Sequence, residues 1–485
     1  MFAVFQQWKN IFRKIKPQHY LLIVPFALVL LLNTLLPPQH GDSQGYHFST
    51  ALWIEQFKIV PGLANIHGRF GFNSSFFTPT AAFSFSDVFG QAVYSVNVIF
   101  IGMFYGWLLN RIFVMGNWQK AIYLLIALFM FRALMLGMNS PTPDAIASII
   151  VVFVFVRLME NATKTFIMDK TEAILIICIA AFALTVKLNT APLVLAVVYL
   201  FFAKKLYLIN RTLIFLFSSI AIIVAPWLLR NYIISGYFVF PVAFTGFLKP
   251  GWQLPLEALQ FEKLLINNGP KMFSEDWQML DSLSFFQWFP QWVSAHTSVG
   301  EIINLSSAFI AFVLGFIGLV YFIKKKDFTV FKIIGLSFVG LLFWLINSPD
   351  YRFGYPYIIS LIAVVLFPVL LNKQITSTWK NAISFTAVVV CIFYSVKVIL
   401  MLQPYPISTY IVKPLKQMDY FKRNDLSTFP FINLSNGVVM YIDDEAHNCI
   451  NAPLPCFPRH FPGIVPTQIK MRGNKIENGF ETINK

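Results

Sequence analysis

Charge is what this sequence has least of. Only 12% of its 485 residues are Asp, Glu, Lys or Arg, where a soluble protein of this size carries roughly 25%. With 57% hydrophobic residues and a mean hydropathy of +0.65, too few polar side chains remain to cover a water-facing surface. That excludes an ordinary soluble enzyme. Acids are scarcer still: 22 Asp and Glu stand against 37 Lys and Arg, a net charge of +15. Such a surplus would suit nucleic acid if it formed one face, but the basic residues sit in short clusters between apolar runs. Membrane topology explains them, and no nucleic-acid partner is expected. The chain has no internal repeat of the kind that marks many transporters. The basic segment FQQWKNIFRKIKPQHY leads into an apolar run that ends in Pro-Pro-Gln-His without a small-residue cleavage site. That run is expected to remain as an uncleaved span.

What is abundant is apolar length. A helix needs about 20 mostly apolar residues to cross the hydrocarbon core. The runs at 20–37, 91–110, 120–138, 143–159, 172–187, 190–203, 212–229, 302–323, 328–347, 356–371 and 382–401 predict an all-α polytopic membrane protein of about eleven transmembrane helices. Plentiful Phe and Trp suit spans and interfacial belts. Lysine and arginine alternate between the connecting segments: Lys9, Arg13, Lys14 and Lys16, then Arg111 and Lys120, Arg157, Lys164 and Lys170, Lys204, Lys205 and Arg211, Lys324 to Lys326, and Lys373 and Lys380 all fall on one side. By the positive-inside rule that side is cytoplasmic, so the N-terminus lies inside and the C-terminus outside. Residues 1–401 then form a transmembrane module with outside loops 38–90 and 230–301, followed by a small outside segment, 402–485.

Four cysteines are present. Cys178 and Cys391 fall in expected spans as small apolar packers. Cys449 and Cys456, in CINAPLPC, fall in the outside tail. An oxidising compartment favours a disulfide there. A zinc site would need two further ligands, for which His447 and His460 are candidates.

The loop after the first run, GDSQGYHFSTALWIEQFKIVPGLANIHGRFGFNSS, carries more chemistry than a connector needs: Asp42, His47, His67 and Arg69. Alone, Asp42 reads as a solvated loop acid or helix N-cap. Apolar Phe48, Ala51, Leu52 and Phe57 predict a short interfacial helix behind it, over 46–57, and Pro61, Gly62, Gly68 and Gly71 predict a return that folds the loop over the bundle. Asp144 opens the 143–159 run, where an acid also complements the helix dipole, and Asp87 has the same ambiguity. Arg132, Lys187, Arg230 and Arg352 lie at the outer ends of spans. Snorkelling to the interface explains such residues one at a time. Four on one face would suit an anionic head group such as a lipid phosphate.

An acid in the first outside loop, an interfacial helix after it and many spans with an outside C-terminal segment resemble the GT-C superfamily of integral membrane glycosyltransferases. Asp42 to Ser75, PWLLRNYIISGYFVFP, SPDYRFGYP and the tail's CINAPLPCFP and MRGNKIENGF look like a bacterial membrane-protein group of that type. Many superfamily members carry Asp-x-Asp or Glu-x-Asp in the first loop. Here GDSQG has Asp42 alone, with Gln44 in the second place, so no metal site and no cofactor are expected. The resemblance implies a GT-C-like fold in the bacterial inner membrane and transfer of a sugar from a polyprenyl-phosphate donor to a lipid-linked or protein acceptor on the periplasmic face. Asp42 would be the base, with His47 assisting. Lys187, Arg352, Arg230, Arg132, Asp144, Arg69 and His67 would line the substrate site. Two other readings compete: a transporter or flippase for lipid-linked glycans, and a glycan ligase or polymerase that relies on cations instead of an acid.

Overall fold

The computed structural model describes residues 41–403 apart from 90, 91, 93, 272, 372 and 375. It also describes 24, 27, 28 and 31–33, and in the tail 430–434, 437–443, 449, 453–458 and 465–483. The expected first span, 20–37, lies largely outside the described residues, as do His447 and His460. The chain is mostly helical. Its principal helices are α1 (Phe48–Gln56), α2 (Val96–Val114), α3 (Asn117–Leu134), α4 (Asp144–Ala162), α5 (Lys170–Val186), α6 (Leu193–Ala203) and α7 (Asn210–Ser235). They continue with α8 (Leu256–Asn268), α9 (Phe285–Ser294), α10 (Val299–Lys324), α11 (Phe328–Asn347), α12 (Tyr351–Leu370) and α13 (Ser377–Leu402).

Local chemistry sets the ends of these helices. Side chains of Asp169, Asp327 and Asp350 accept backbone N–H groups at the starts of α5, α11 and α12. Ser298 and Glu301 form a reciprocal capping box on α10. Gly236, left-handed at φ 82°, ends α7. Every expected span from 91–110 onward is a helix at nearly the expected bounds. Seven of them (α2, α4, α7, α10, α11, α12 and α13) are long and apolar enough to cross a membrane. Of the other three, α5 has 17 residues and α6 has 11, while α3 carries Lys120 and Arg132. Central α4 and α12 pack on each other and bury most of their residues, whereas α7 and α13 present Phe215, Ile222, Phe385 and Phe393 outward. Apolar side chains exposed in this way need lipid around them.

One end of the bundle is pinned by charge. Glu160 of α4, with no exposed surface, is paired with Arg111 at 2.7 Å and with Arg157, and receives the Tyr123 hydroxyl. A buried carboxylate is tolerable only with such partners, and these tie α2, α3 and α4 together. At the other end, the three segments predicted to share a side do meet. Trp53, Leu63 and Phe70 from the first, Tyr237, Phe240 and Leu254 from the second, and Met440, Phe457, Ile469 and Phe480 from the tail form one hydrophobic cluster.

Within the mostly helical fold the tail adds short strands. β1 (Phe431–Asn433) pairs antiparallel with β2 (Val439–Asp443), and β2 pairs parallel with β3 (Cys456–Pro458). β4 (Ile469–Met471) pairs antiparallel with β5 (Phe480–Thr482). Cys449 and Cys456 are joined by a disulfide. β5 grips the first loop: Phe480 N–H donates to Pro61 O at 2.9 Å, and Thr482 Oγ1 donates to Asn65 Oδ1 at 2.7 Å. Gly62, at φ +67°, has no room for a Cβ, which would lie 2.1 Å from Phe480 O.

Candidate functional site

A cavity of about 880 Å³ opens at this end of the bundle, where α4, α10 and α12 begin and α5, α7 and α11 end. Asp42, Arg69, Lys187 and Arg352 all line it, although they are far apart in sequence. A wider π-type turn, Ser43–His47, runs from Asp42 into α1. The glycine-punctuated return at 61–71 then brings Arg69 to the wall.

Arg352 stands in the first turn of α12. Its Nε and Nη2 donate to Asp350 Oδ2 at 2.9 and 2.7 Å, and its Nη1 donates to Asp42 Oδ2 at 2.7 Å. Asp350 thus caps the helix and orients the guanidinium, which in turn orients Asp42. Side chains of Asp42 and Arg352 are each about one-third exposed, at 36% and 37%, so both remain accessible. Lys187, at the end of α5, is paired with Asp144 at the start of α4, and its Nζ lies 3.9 Å from the centre of the Phe353 ring. The same ring receives the Arg352 guanidinium at 5.5 Å. Phe353 therefore stands between two cations, a favourable place for an aromatic face.

Arg69 makes a third pair. Its Nε lies 3.3 Å from Glu262 Oε2 of α8, and its guanidinium sits 5.9 and 5.5 Å from the rings of Tyr46 and Phe72. Burial pushes the Glu262 carboxyl up to about 7, against the lowering effect of Arg69. Burial, with the Asp42 carboxylate adding to it, likewise holds the Tyr46 phenol well above its ordinary value. Aromatic and amide groups complete the wall, among them Trp227, Asn231, Phe240, Asn304 and Tyr355. Trp227 Nε1 donates to Asn73 O at 2.6 Å and Asn73 Nδ2 donates to Trp227 O at 3.1 Å, which fixes the return loop against α7.

Five of the expected site residues are not in the cavity lining; one of them, Asp144, reaches it only through its ion pair with Lys187. His47 is not among the lining residues: its Nδ1 lies 3.5 Å from Ser43 Oγ, and its ring packs on Phe77 at 5.3 Å. His67 Nδ1 accepts the Arg69 backbone N–H at 3.0 Å, and burial lowers its pKa to about 3, so it is a neutral cap for the turn. Arg132 donates to Gly300 O at 3.1 Å, tying α3 to α10. Arg230 of α7 is not in the lining, although Trp227 and Asn231 of the same helix are. Asp87 is exposed, away from the cavity.

Of the four cations expected to ring this face, Lys187 and Arg352 line the cavity, each in an ion pair with a carboxylate. Asp350 was legible in SPDYRFGYP as an acid just before a helix, two residues from Arg352. Glu262 had no such signal, because its partner comes from a different loop. Among the described residues no cluster of three or more His, Cys, Asp or Glu has metal-holding geometry.

The chain belongs to the family described as Domain of unknown function (DUF8201), whose model matches residues 1–359. That match takes in every charged cavity residue named above and stops short of the tail. No curated protein and no solved structure matches the chain.

Proposed function

We propose that this chain is a GT-C-like membrane glycosyltransferase of the bacterial inner membrane, with about eleven spans, its N-terminus in the cytoplasm and its cavity and tail on the periplasmic side. It moves a sugar from a polyprenyl-phosphate donor to a lipid-linked or protein acceptor. The observation that carries the reading is the convergence of Asp42, Arg352, Lys187 and Arg69 on one cavity at the ends of membrane-length helices. An acid beside cations is what the reaction needs: a carboxylate to take a proton from the acceptor hydroxyl, and positive charge to receive a phosphate.

The Asp42–Arg352 pair fits this use. A donor phosphate competes with Asp42 for the Arg352 guanidinium, and taking it over frees the carboxylate. The acceptor oxygen then bonds to the anomeric carbon as the bond from that carbon to the phosphate oxygen breaks. The hydroxyl proton passes to Asp42, and the bond's electron pair leaves on the phosphate, next to Lys187 and Arg352. A glycan ligase or polymerase is the second reading, supported by the same pair, since an acid neutralised by arginine is a weaker base and leaves cations to carry the chemistry. Purified chain in lipid nanodiscs, given polyprenyl-phosphate sugars and a lipid-linked acceptor, should transfer label to the acceptor. Transfer that survives Asp42→Asn but not Arg352→Gln would favour the ligase reading. Transport of an intact glycan lipid without transfer would sink both.

A further inference from the structure

Arg69 differs from its two neighbours in where its counter-ion stands. Asp42 and Asp350, which hold Arg352, both line the cavity. Glu262 is entirely buried behind the wall, at 0% exposure, while the Arg69 side chain keeps 22%. Nε is the Arg69 atom turned toward Glu262, and Tyr46 and Phe72 flank the guanidinium. Among the described residues, neither Nη group of Arg69 and neither oxygen of Glu262 makes a hydrogen bond. The Nη edge of the fork is therefore uncommitted at a cavity wall, and the buried carboxylate depends on Arg69 alone.

We propose that Arg69 and Glu262 form a proton-coupled anion site, in which Arg69 takes a phosphodiester-type anion through its two Nη groups and Glu262 takes up a proton as it does so. The inference rests on the reading of this cavity as one that receives a phosphate. The physical reason is counter-charge. A guanidinium engaged bidentately by an outside anion no longer offsets the carboxylate behind it, and an isolated buried carboxylate is relieved most cheaply by a proton. The raised pKa of Glu262 puts that proton within the neutral range. Competing titrating groups are few. The charged residues of the elements packed against α8 are Arg69, Lys271, Asp276 and Asp281, and Lys271 faces Asp281 while Asp276 caps its own helix. His67, at the same turn as Arg69, stays neutral. On α8 itself Glu257 and Lys263 are exposed.

The test uses full-length protein in nanodiscs of zwitterionic lipid. The lipid probe is dihexadecyl phosphate, a phosphodiester that does not titrate in the neutral range; the free-anion probe is inorganic sulfate. Binding of dihexadecyl phosphate should tighten about tenfold from pH 8 to pH 6, with proton uptake measured by calorimetry in buffers of different ionisation heat. Glu262→Gln should bind as tightly at pH 8 as the wild type does at pH 6, with the pH dependence gone. Arg69→Gln should lose at least about tenfold at both pH values. Coupling seen with sulfate as well makes the ligand a free oxyanion; coupling confined to dihexadecyl phosphate makes it a lipid head group. An unchanged pH slope in Glu262→Gln, or unchanged binding in Arg69→Gln, overturns the proposal. Sugar transfer with pH-independent binding would remove this site alone. Proton-coupled binding without sugar transfer would remove the glycosyltransferase reading and leave the site standing.

Discussion

Asp42 and Arg352, 310 residues apart in sequence, meet at 2.7 Å across the cavity mouth. Neither is free to wander, because Asp350 holds the other edge of the guanidinium through two hydrogen bonds. Asp350→Asn keeps the helix cap and removes the charge. Bonds to charged groups contribute about 1.5–3 kcal/mol each when buried, and partial exposure here reduces that. The variant should therefore weaken donor binding about tenfold and leave expression unchanged. Titration of polyprenyl-phosphate sugar into nanodisc-embedded protein measures this; undiminished affinity would make Asp350 a cap only.

The shared side of the three large segments gives a topological prediction. Lys58, Lys249 and Lys475 are exposed, one in each segment, and Lys326 lies at the opposite end of the bundle. Replaced singly by cysteine, the first three should react with a membrane-impermeant thiol reagent from outside the inner membrane, and Lys326→Cys should not. Labelling of Lys326→Cys alone would invert the orientation, and a split among the first three would break the common cluster.

How much of this could be read in the sequence depends on the kind of signal involved. Apolar runs were legible as helices, and so α2 to α7 and α10 to α13 fall close to their expected bounds. Seven of them are long and apolar enough to cross a membrane. The helices α8 and α9, inside an expected loop, were not legible. The side shared by the loops was legible from Lys and Arg alternation. Asp42, Lys187 and Arg352 stood out as charge at the margins of apolar runs. Orientation of side chains was not legible. His47 packs on Phe77 and stands outside the cavity lining, a placement that spacing along the chain does not show. Arg230 is not in the lining either, although it stands three residues from Trp227 on α7. Glu262 was hidden because its partner, Arg69, is distant in sequence, and the strands of the tail because each is only three to five residues long.

The grip of the tail on the first loop predicts a stability effect far from any span. Gly62→Ala would force a side chain into a left-handed backbone and against Phe480 O. Backbone strain of this kind costs of order 1–3 kcal/mol before the clash is counted. Gly479, at φ +94°, packs on Pro61 from the other side and should behave alike. Limited proteolysis should then cleave near 469–483 in either variant, with the bundle intact. Protection equal to wild type would mean that the contact is dispensable.

Stability should also respond to pH through Glu262. Its folded value, about 7, lies above the ordinary 4.5, so the folded state binds more protons than the unfolded state between the two. Stability from this group is full below about 4.5, declines as pH rises, and is lost by about 7, a loss on the order of 3 kcal/mol. His67 acts in the opposite sense, its lowered value costing stability as pH falls below its ordinary 6.5. The informative quantity is therefore the difference between Glu262→Gln and wild type at each pH. Thermal melts should show the variant gaining on wild type between pH 5 and pH 8. A constant difference would remove Glu262 as the source.

The central claim is that Asp42 takes a proton in sugar transfer, and Asp42→Asn tests it most directly. Asparagine keeps the shape and can still accept from Arg352, but it cannot serve as a base. Single-turnover transfer from polyprenyl-phosphate sugar should fall by roughly 10²–10⁴, the usual contribution of a general base. Donor affinity should hold or improve, since Arg352 loses a competing charge. Transfer at the wild-type rate by a variant that binds donor normally would contradict the account and reduce Asp42 to the orienting partner of Arg352.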